Sequence, residues 1–308
     1  MRNTIVNLIH DLAKTNRDVY FLTGDLGYSV IDNFQKEIPE RCLNLGISEQ
    51  NMMGAAAGLA LEGKKVFVYS IVPFATMRCL EQIRTDVALQ NLDVTIIGVG
   101  SGFAYGTLGP THHAIEDIAM LRAIPRMKIV CPSGPVSAGV LGRQVLAMVG
   151  PTYIRLNRGG EPALYDSPPN MKFGKGFVLK PGGAVTIFSS GAITAVALGA
   201  AELLEKEKIS TEVVDMATVK PLDGDLVIDR LKSRKLIVTL EEHNILGGFG
   251  SAVAEVVAEA ASRQAAFKRF GINDFYPEAF GNQQFMRDQC GLSPQLIFES
   301  IKKLYEGL

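Results

Sequence analysis

GISEQNMMGAAAGLALEGKKVFVYS, residues 46–70, falls into two kinds of segment on either side of Gly63. From Met52 to Leu61 it is apolar at almost every position, as a helix seated in a core or an interface would be. After Gly63, Lys65–Tyr69 is a short run of Val, Phe and Tyr, the composition of a buried strand. One carboxylate, Glu49, stands at the helix start behind Ser48, a residue suited to the N-cap. An acid there is favoured by the unpaired N–H groups and the positive end of the helix dipole, so capping alone accounts for it. A carboxyl group leading a buried helix also needs a partner, and it can share a proton with a basic ring nitrogen.

The alternation extends in both directions. Strands are expected at Val19–Thr23, Val94–Gly98 and Lys128–Cys131, helices at Cys79–Asn91 and Ala114–Ala123, and an amphipathic helix in the opening MRNTIVNLIHDLAKTNRDV. Such alternation makes a parallel sheet covered on both faces. The pattern restarts after the Pro- and Gly-rich interval Asn157–Gly183, with strands at Ala184–Phe188, Glu212–Asp215 and Leu236–Leu240 and helices after Gly191 and Gly250. The expectation is an α/β fold of two consecutive domains with mainly parallel sheets flanked by helices: residues 1–165, a linker at 166–183, and 184–308.

The 308 residues are 47% hydrophobic and carry a formal net charge of −1. A sizeable core is possible, and no charged block favours nucleic acid or a membrane surface. Small molecules and other proteins are the expected partners. No apolar run approaches the ~20 residues needed to span a bilayer, and the first residues lack a signal peptide's unbroken apolar stretch. Cys42, Cys79, Cys131 and Cys290 are scattered without a CxxC pair, which fits reduced, buried thiols and a cytoplasmic location.

Three further stretches follow expected strands. Gly109-Pro-Thr-His-His113 comes after the flexible Gly98–Gly106 loop, and loops at strand carboxyl ends are where open α/β sheets bind ligands. His112 and His113 are adjacent, so their side chains diverge, and neither HExxH nor a third ligand at metal-site spacing is present; no metal site is expected. Phe74, in Ser70-Ile-Val-Pro-Phe74, suits either the core or the face of a flat ligand. Glu241-Glu-His243 with Gly247-Gly-Phe-Gly-Ser251 lacks the spacing of a nucleotide loop and reads as a strand, turn and helix start.

Taken in order, Gly46-Ile-Ser-Glu-Gln-Asn, Asp86-Val-Ala-Leu-Gln-Asn, Gly109-Pro-Thr-His, Ile129-Val-Cys-Pro-Ser and Glu241-Glu-His-Asn-Ile-Leu-Gly-Gly-Phe-Gly-Ser-Ala-Val resemble the transketolase family of thiamine-diphosphate enzymes. The likeness covers nearly the whole chain: a pyrimidine-binding domain, then the carboxyl-terminal domain. It implies that Glu49 hydrogen-bonds the ring nitrogen of the cofactor's aminopyrimidine and that Phe74 stacks on that ring. Asp25 matches an acid near the cofactor, His112 a histidine contacting the reacting substrate, and Arg158 an arginine that binds a sugar phosphate.

Two departures carry information. The family's diphosphate-and-magnesium motif, a GDG followed by paired asparagines, is absent, and Gly24-Asp-Leu26 is no substitute. The resemblance therefore implies a partner, an amino-terminal transketolase subunit holding the diphosphate and Mg²⁺, in a dimer of heterodimers with the cofactor at the interface. The substrate loop also reads Gly100 and Leu108 where the family carries a histidine and an aspartate that contact sugar hydroxyls. An atypical sugar acceptor follows from that. The alternatives are a 2-oxo-acid dehydrogenase beta subunit, a deoxyxylulose-phosphate-synthase-like enzyme and, from another class, a non-catalytic binding module.

Overall fold

The computed structural model describes residues 1–262 and 264–308. In chain order the strands are β1 (Val19–Thr23), β2 (Cys42–Asn44), β3 (Lys65–Ile71), β4 (Val94–Val99), β5 (Lys128–Val130), β6 (Thr152–Leu156), β7 (Phe177–Lys180), β8 (Val185–Ser189), β9 (Thr211–Asp215), β10 (Thr218–Lys220), β11 (Leu236–Asn244) and β12 (Ala266–Ile272). They form a seven-stranded sheet ordered β10-β5-β6-β4-β3-β1-β2 and a five-stranded sheet ordered β12-β11-β8-β9-β7. All pairings are parallel except β10 on β5 and β7 on β9. The fold is thus α/β, with two mainly parallel sheets flanked by helices.

In the first sheet β2 and β3 lie on opposite sides of β1. The strand order therefore reverses there, and the carboxyl ends of β1 and β3 flank a topological switch point, where open α/β sheets hold ligands. The helix Glu49–Leu61 covers one face, packing Met52, Met53, Ala56 and Ala57 against Leu22, Val66, Val68 and Ile96. On the other face the helices Arg2–Thr15 and Pro135–Leu146 bring Ile5, Ile9 and Leu141 against Phe21, Phe67 and Ile97. The second sheet is covered by Thr194–Lys206 and Pro294–Glu306, whose Ala197, Ala201, Ile297 and Ile301 are buried with β8 and β11.

Several local expectations are corrected. The helix Glu49–Leu61, expected in a core or an interface, is buried on one side only: Gln50, Asn51, Gly54, Gly58 and Leu61 form an exposed stripe, and nothing lies within 4 Å of where a Cβ would stand at Gly54 or Gly58. Ser48 occupies the N-cap position, yet its hydroxyl donates to the Leu45 carbonyl instead of capping the helix. The expected helix Cys79–Asn91 is a short turn, Leu80–Gln82, continued by a π-helical turn, Ile83–Ala88. The expected helix at Ala114 begins at Asp117, because Ala114 instead exchanges backbone hydrogen bonds with Gly102.

The Asn157–Gly183 interval contains β7, which extends the second sheet, and β10 crosses back to edge the first. The Cys131 amide also donates to the Ala217 carbonyl at 2.7 Å. All four cysteines are free; burial pushes the Cys42 thiol up to about 11 and those of Cys79 and Cys131 to about 12, which leaves them inert. Among the described residues no helix is long and apolar enough to cross a membrane.

Candidate active site

Glu49 sits at the switch point. Its carboxylate, 1% exposed, faces Gly24 at the end of β1 and accepts from Ser70 Oγ, near the end of β3, at 3.3 Å. Its second oxygen accepts from Arg78 Nη1 at 2.6 Å. Arg78 supplies the countercharge that a buried carboxylate requires. Its guanidinium also lies over the Phe74 ring, 4.4 Å from the centroid. Phe74, on the short helix Val72–Ala75 that follows β3, meets the His112 imidazole edge-on at 5.2 Å. His112 faces Tyr105 at 6.2 Å, and the Arg158 guanidinium lies 5.1 Å over the Tyr105 ring.

The structure thus joins Glu49, Phe74, His112 and Arg158 in one chain of contacts, with Arg78 and Tyr105 as the links. At one end a cavity of about 500 Å³ is lined by Ile47, Ser48, Glu49, Gln50, Asn51 and Arg78. At the other end a cavity of about 360 Å³ is lined by Arg2, Arg158, Gly159 and Gly160, among others. Two arginines line that cavity and could hold an anion, beside the Glu161 carboxylate, which the Met1 ammonium pairs at 3.2 Å. Asp25 is on the rim instead. It is exposed and takes a positive φ of 56°, and the Asn44 side chain holds it by accepting from its amide at 2.9 Å and donating to its carboxylate at 3.1 Å.

The adjacent histidines do diverge. Burial lowers the pKa of both, so both are neutral at neutral pH. His113 is the structural one: its Nε2–H donates to the Gly106 carbonyl at 3.2 Å and its ring packs edge-on against Phe103. His112 is half-buried and has Thr111 Oγ1 3.0 Å from Nδ1, which leaves Nε2 for a ligand. Leu108 is exposed on the same loop, and Gly100 is buried at its start.

Residues 1–161 match the family described as transketolase, pyrimidine binding domain, and residues 174–297 match transketolase, C-terminal domain. This chain belongs to the transketolase family. It is 35% identical over 300 residues to one of the subunits of an apulose-4-phosphate transketolase from Actinobacillus succinogenes, covering 97% of this chain and 96% of the relative. It is 34% identical over 309 residues to a 6-deoxy-6-sulfo-D-fructose transketolase subunit of a Clostridium species, covering 99% and 94%. Among solved structures, a split gene transketolase described as an inactive beta4 tetramer superimposes with a TM-score of 0.87 at 36% identity, covering 98% of this chain and 96% of that one.

Membership of the transketolase family implies dependence on thiamine diphosphate. The residues present suit the pyrimidine end of that cofactor in kind, a buried carboxylate for a ring nitrogen and an aromatic face for the ring, with the flat Arg78 guanidinium standing between them in this structure. Among the described residues, no group of three or more His, Cys, Asp or Glu side chains is placed to hold a metal ion.

Four residues of this cluster and its support escape a reading of the sequence. Arg78 had one available mark, as a lone cation one helical turn beyond Phe74 in an otherwise uncharged stretch. Tyr105 and Arg2 had none. The fourth, Glu242, comes from the second half of the chain, at the end of β11. Its buried carboxylate accepts from the Phe103 amide at 2.8 Å, from Gln283 Nε2 at 3.0 Å and from Arg287 Nε at 2.9 Å. Gln283 also accepts from Asn157 Nδ2 at 3.2 Å, and Arg155 donates to the carbonyls of Ala114 and Glu242. The second half of the chain therefore clasps the loop of residues 100–113 at its base.

Proposed function

We propose that this chain is the carboxyl-terminal subunit of a split thiamine-diphosphate-dependent transketolase, transferring a two-carbon ketol unit between sugar phosphates. The observation that carries this is the buried Glu49 carboxylate facing the Phe74 ring at the switch point, in one chain of contacts with His112 and Arg158. When bound, the cofactor supplies the nucleophilic carbon that attacks a ketone. Glu49 holds and shares a proton at the pyrimidine ring nitrogen, and its burial keeps competing water away from that proton. Phe74 stacks on the pyrimidine and Asp25 closes the rim beside it. His112, neutral and with Nε2 available, exchanges a proton with a substrate oxygen. Arg158, with Arg2 facing the same cavity, anchors the phosphate end.

An amino-terminal subunit supplies the diphosphate and Mg²⁺ site, and the expected assembly is a dimer of heterodimers working in the cytoplasm. The relative described as an inactive beta4 tetramer supports this, because a chain of this kind by itself is only half of a site. The exposed stripe of Gln50, Asn51, Gly54, Gly58 and Leu61 beside Glu49 is the surface offered to that subunit. Gly100 and Leu108 replace groups that would hydrogen-bond sugar hydroxyls, and relatives named for apulose phosphate and a sulfonated fructose support an atypical acceptor here too. The test is reconstitution with the amino-terminal subunit, thiamine diphosphate and Mg²⁺. Ketol transfer that depends on both chains is expected; equal efficiency with xylulose 5-phosphate plus ribose 5-phosphate and with every other pair would overturn the acceptor assignment.

A further inference from the structure

Gly100, just beyond β4, has a φ of +94°, and a Cβ placed there would fall inside the van der Waals envelope of Cδ2 and Cε2 of Tyr105. The Tyr105 ring therefore fills the space that any side chain at position 100 would enter. It also touches the two residues assigned to opposite ends of a sugar phosphate, standing 6.2 Å from the His112 ring and 5.1 Å beneath the Arg158 guanidinium. Its placement is built in. The loop is closed by the paired hydrogen bonds of Gly102 and Ala114, the Leu108 amide donates to the Tyr105 carbonyl at 2.9 Å, and Glu242 holds the Phe103 amide.

We propose that Tyr105 is the specificity-determining residue of the ketol-transfer site. Together with Gly100 and Leu108 it gives the middle of the acceptor an apolar wall, selecting sugar phosphates whose inner carbons carry hydrogen or a carbon branch in place of a hydroxyl. This rests on the placement of His112 and Arg158 proposed above. If the reacting carbonyl is at His112 and the phosphate at Arg158, the ring that joins them faces the carbons between. A hydroxyl pressed against that ring loses water without gaining a partner, whereas a C–H or methyl group loses nothing. A wall of this kind discriminates modestly, by up to about 100-fold, because it rejects through desolvation and not through a missing hydrogen bond.

The test uses the two-chain complex with one donor and two acceptors, ribose 5-phosphate and 2-deoxyribose 5-phosphate. The wild type should favour the deoxy sugar in kcat/KM by roughly 5- to 100-fold. Tyr105→Phe should keep that ratio. Tyr105→Ala should bring it to within about twofold of unity while raising KM for both sugars, since the ring that orients the substrate is gone. Should Tyr105→Ala melt early or fail to fold, Tyr105→Leu carries the same comparison. A wild-type ratio of one or less, or a ratio unchanged when the ring is removed, overturns the proposal. If the complex turns over neither sugar, calorimetric binding of the two sugar phosphates decides this point, while the transketolase reading stands or falls separately on ketol transfer that depends on both chains. Tighter binding of the deoxy sugar by wild type alone supports it, and equal binding by wild type and variant overturns it.

Discussion

Arg78 and Glu49 meet at 2.6 Å beneath the ring of Phe74, one charge 1% exposed and the other reaching it from the surface. The proposed function places the cofactor's pyrimidine at this pair, which would tie each partner to both stability and chemistry. Glu49→Gln should lower kcat of the two-chain complex by 10²-fold or more, on the order of a lost proton-transfer group. The melting temperature of the chain should move only slightly, because the amide still accepts from Arg78. A steady-state assay beside a thermal melt separates the two effects, and undiminished turnover would remove Glu49 from the mechanism.

Arg78→Met leaves Glu49 buried without its countercharge. Removing one partner of a fully buried pair costs about 3–5 kcal/mol, and the exposure of the Arg78 side chain reduces the expected loss to about 1–2 kcal/mol. Combining it with Glu49→Gln should restore most of that stability, a coupling that urea titration of the four proteins in the cycle measures. Additive losses would mean that the pair is not energetically linked.

Asp215 gives a pH signature. Its carboxyl is fully buried at the end of β9, accepting from Ser133 Oγ and from Tyr165 at 2.6 Å, with Oδ1 unpaired. Burial raises it from an ordinary 3.8 to about 6. Between those values the unfolded chain gives up a proton that the folded chain keeps. The contribution is therefore fully present below about pH 4 and is lost as pH climbs through 6. Asp215→Asn should remove this dependence, with a gain over wild type of on the order of 2–3 kcal/mol at neutral pH relative to pH 4. Parallel melting curves of the two proteins across that window would contradict it.

Glu242→Ala releases the Phe103 amide and leaves Arg287 and Gln283 without their shared acceptor. Amide hydrogen exchange should quicken in residues 100–113 by roughly tenfold, the loss of about 1.4 kcal/mol of local protection, while the buried amides of β4 stay slow. In the two-chain complex KM for sugar phosphate should rise more than kcat falls. Unchanged exchange in the loop would show that the clasp does not hold it.

The order of strands and helices was legible because alternation of Val-, Ile- and Phe-rich runs with helical spacing is a local property of the chain. Glu49 was legible for a related reason, since one acid before an apolar helix is conspicuous against its neighbours. Arg78 and Tyr105 were not, because what matters in each is a contact with a residue distant in the chain, and neither carries a periodic mark. The three residues of β10 lie outside the strands expected from sequence; they pair with the edge of β5 88 positions earlier, Val130 with Thr218. Gly100 stands where the family carries a histidine, and the structure gives that departure its physical sense: the space is taken by a neighbour's ring.

The strand β10 has a consequence for how such an enzyme can be divided. A cut in the Asn157–Gly183 interval would leave one piece with the bare edge of β5 and the other with the strand that matches it. The two would be complementary halves inclined to find each other again, or, failing that, to pair with the wrong edge. β10 thus stitches this chain's two sheets together, and only a piece carrying both leaves neither sheet unfinished.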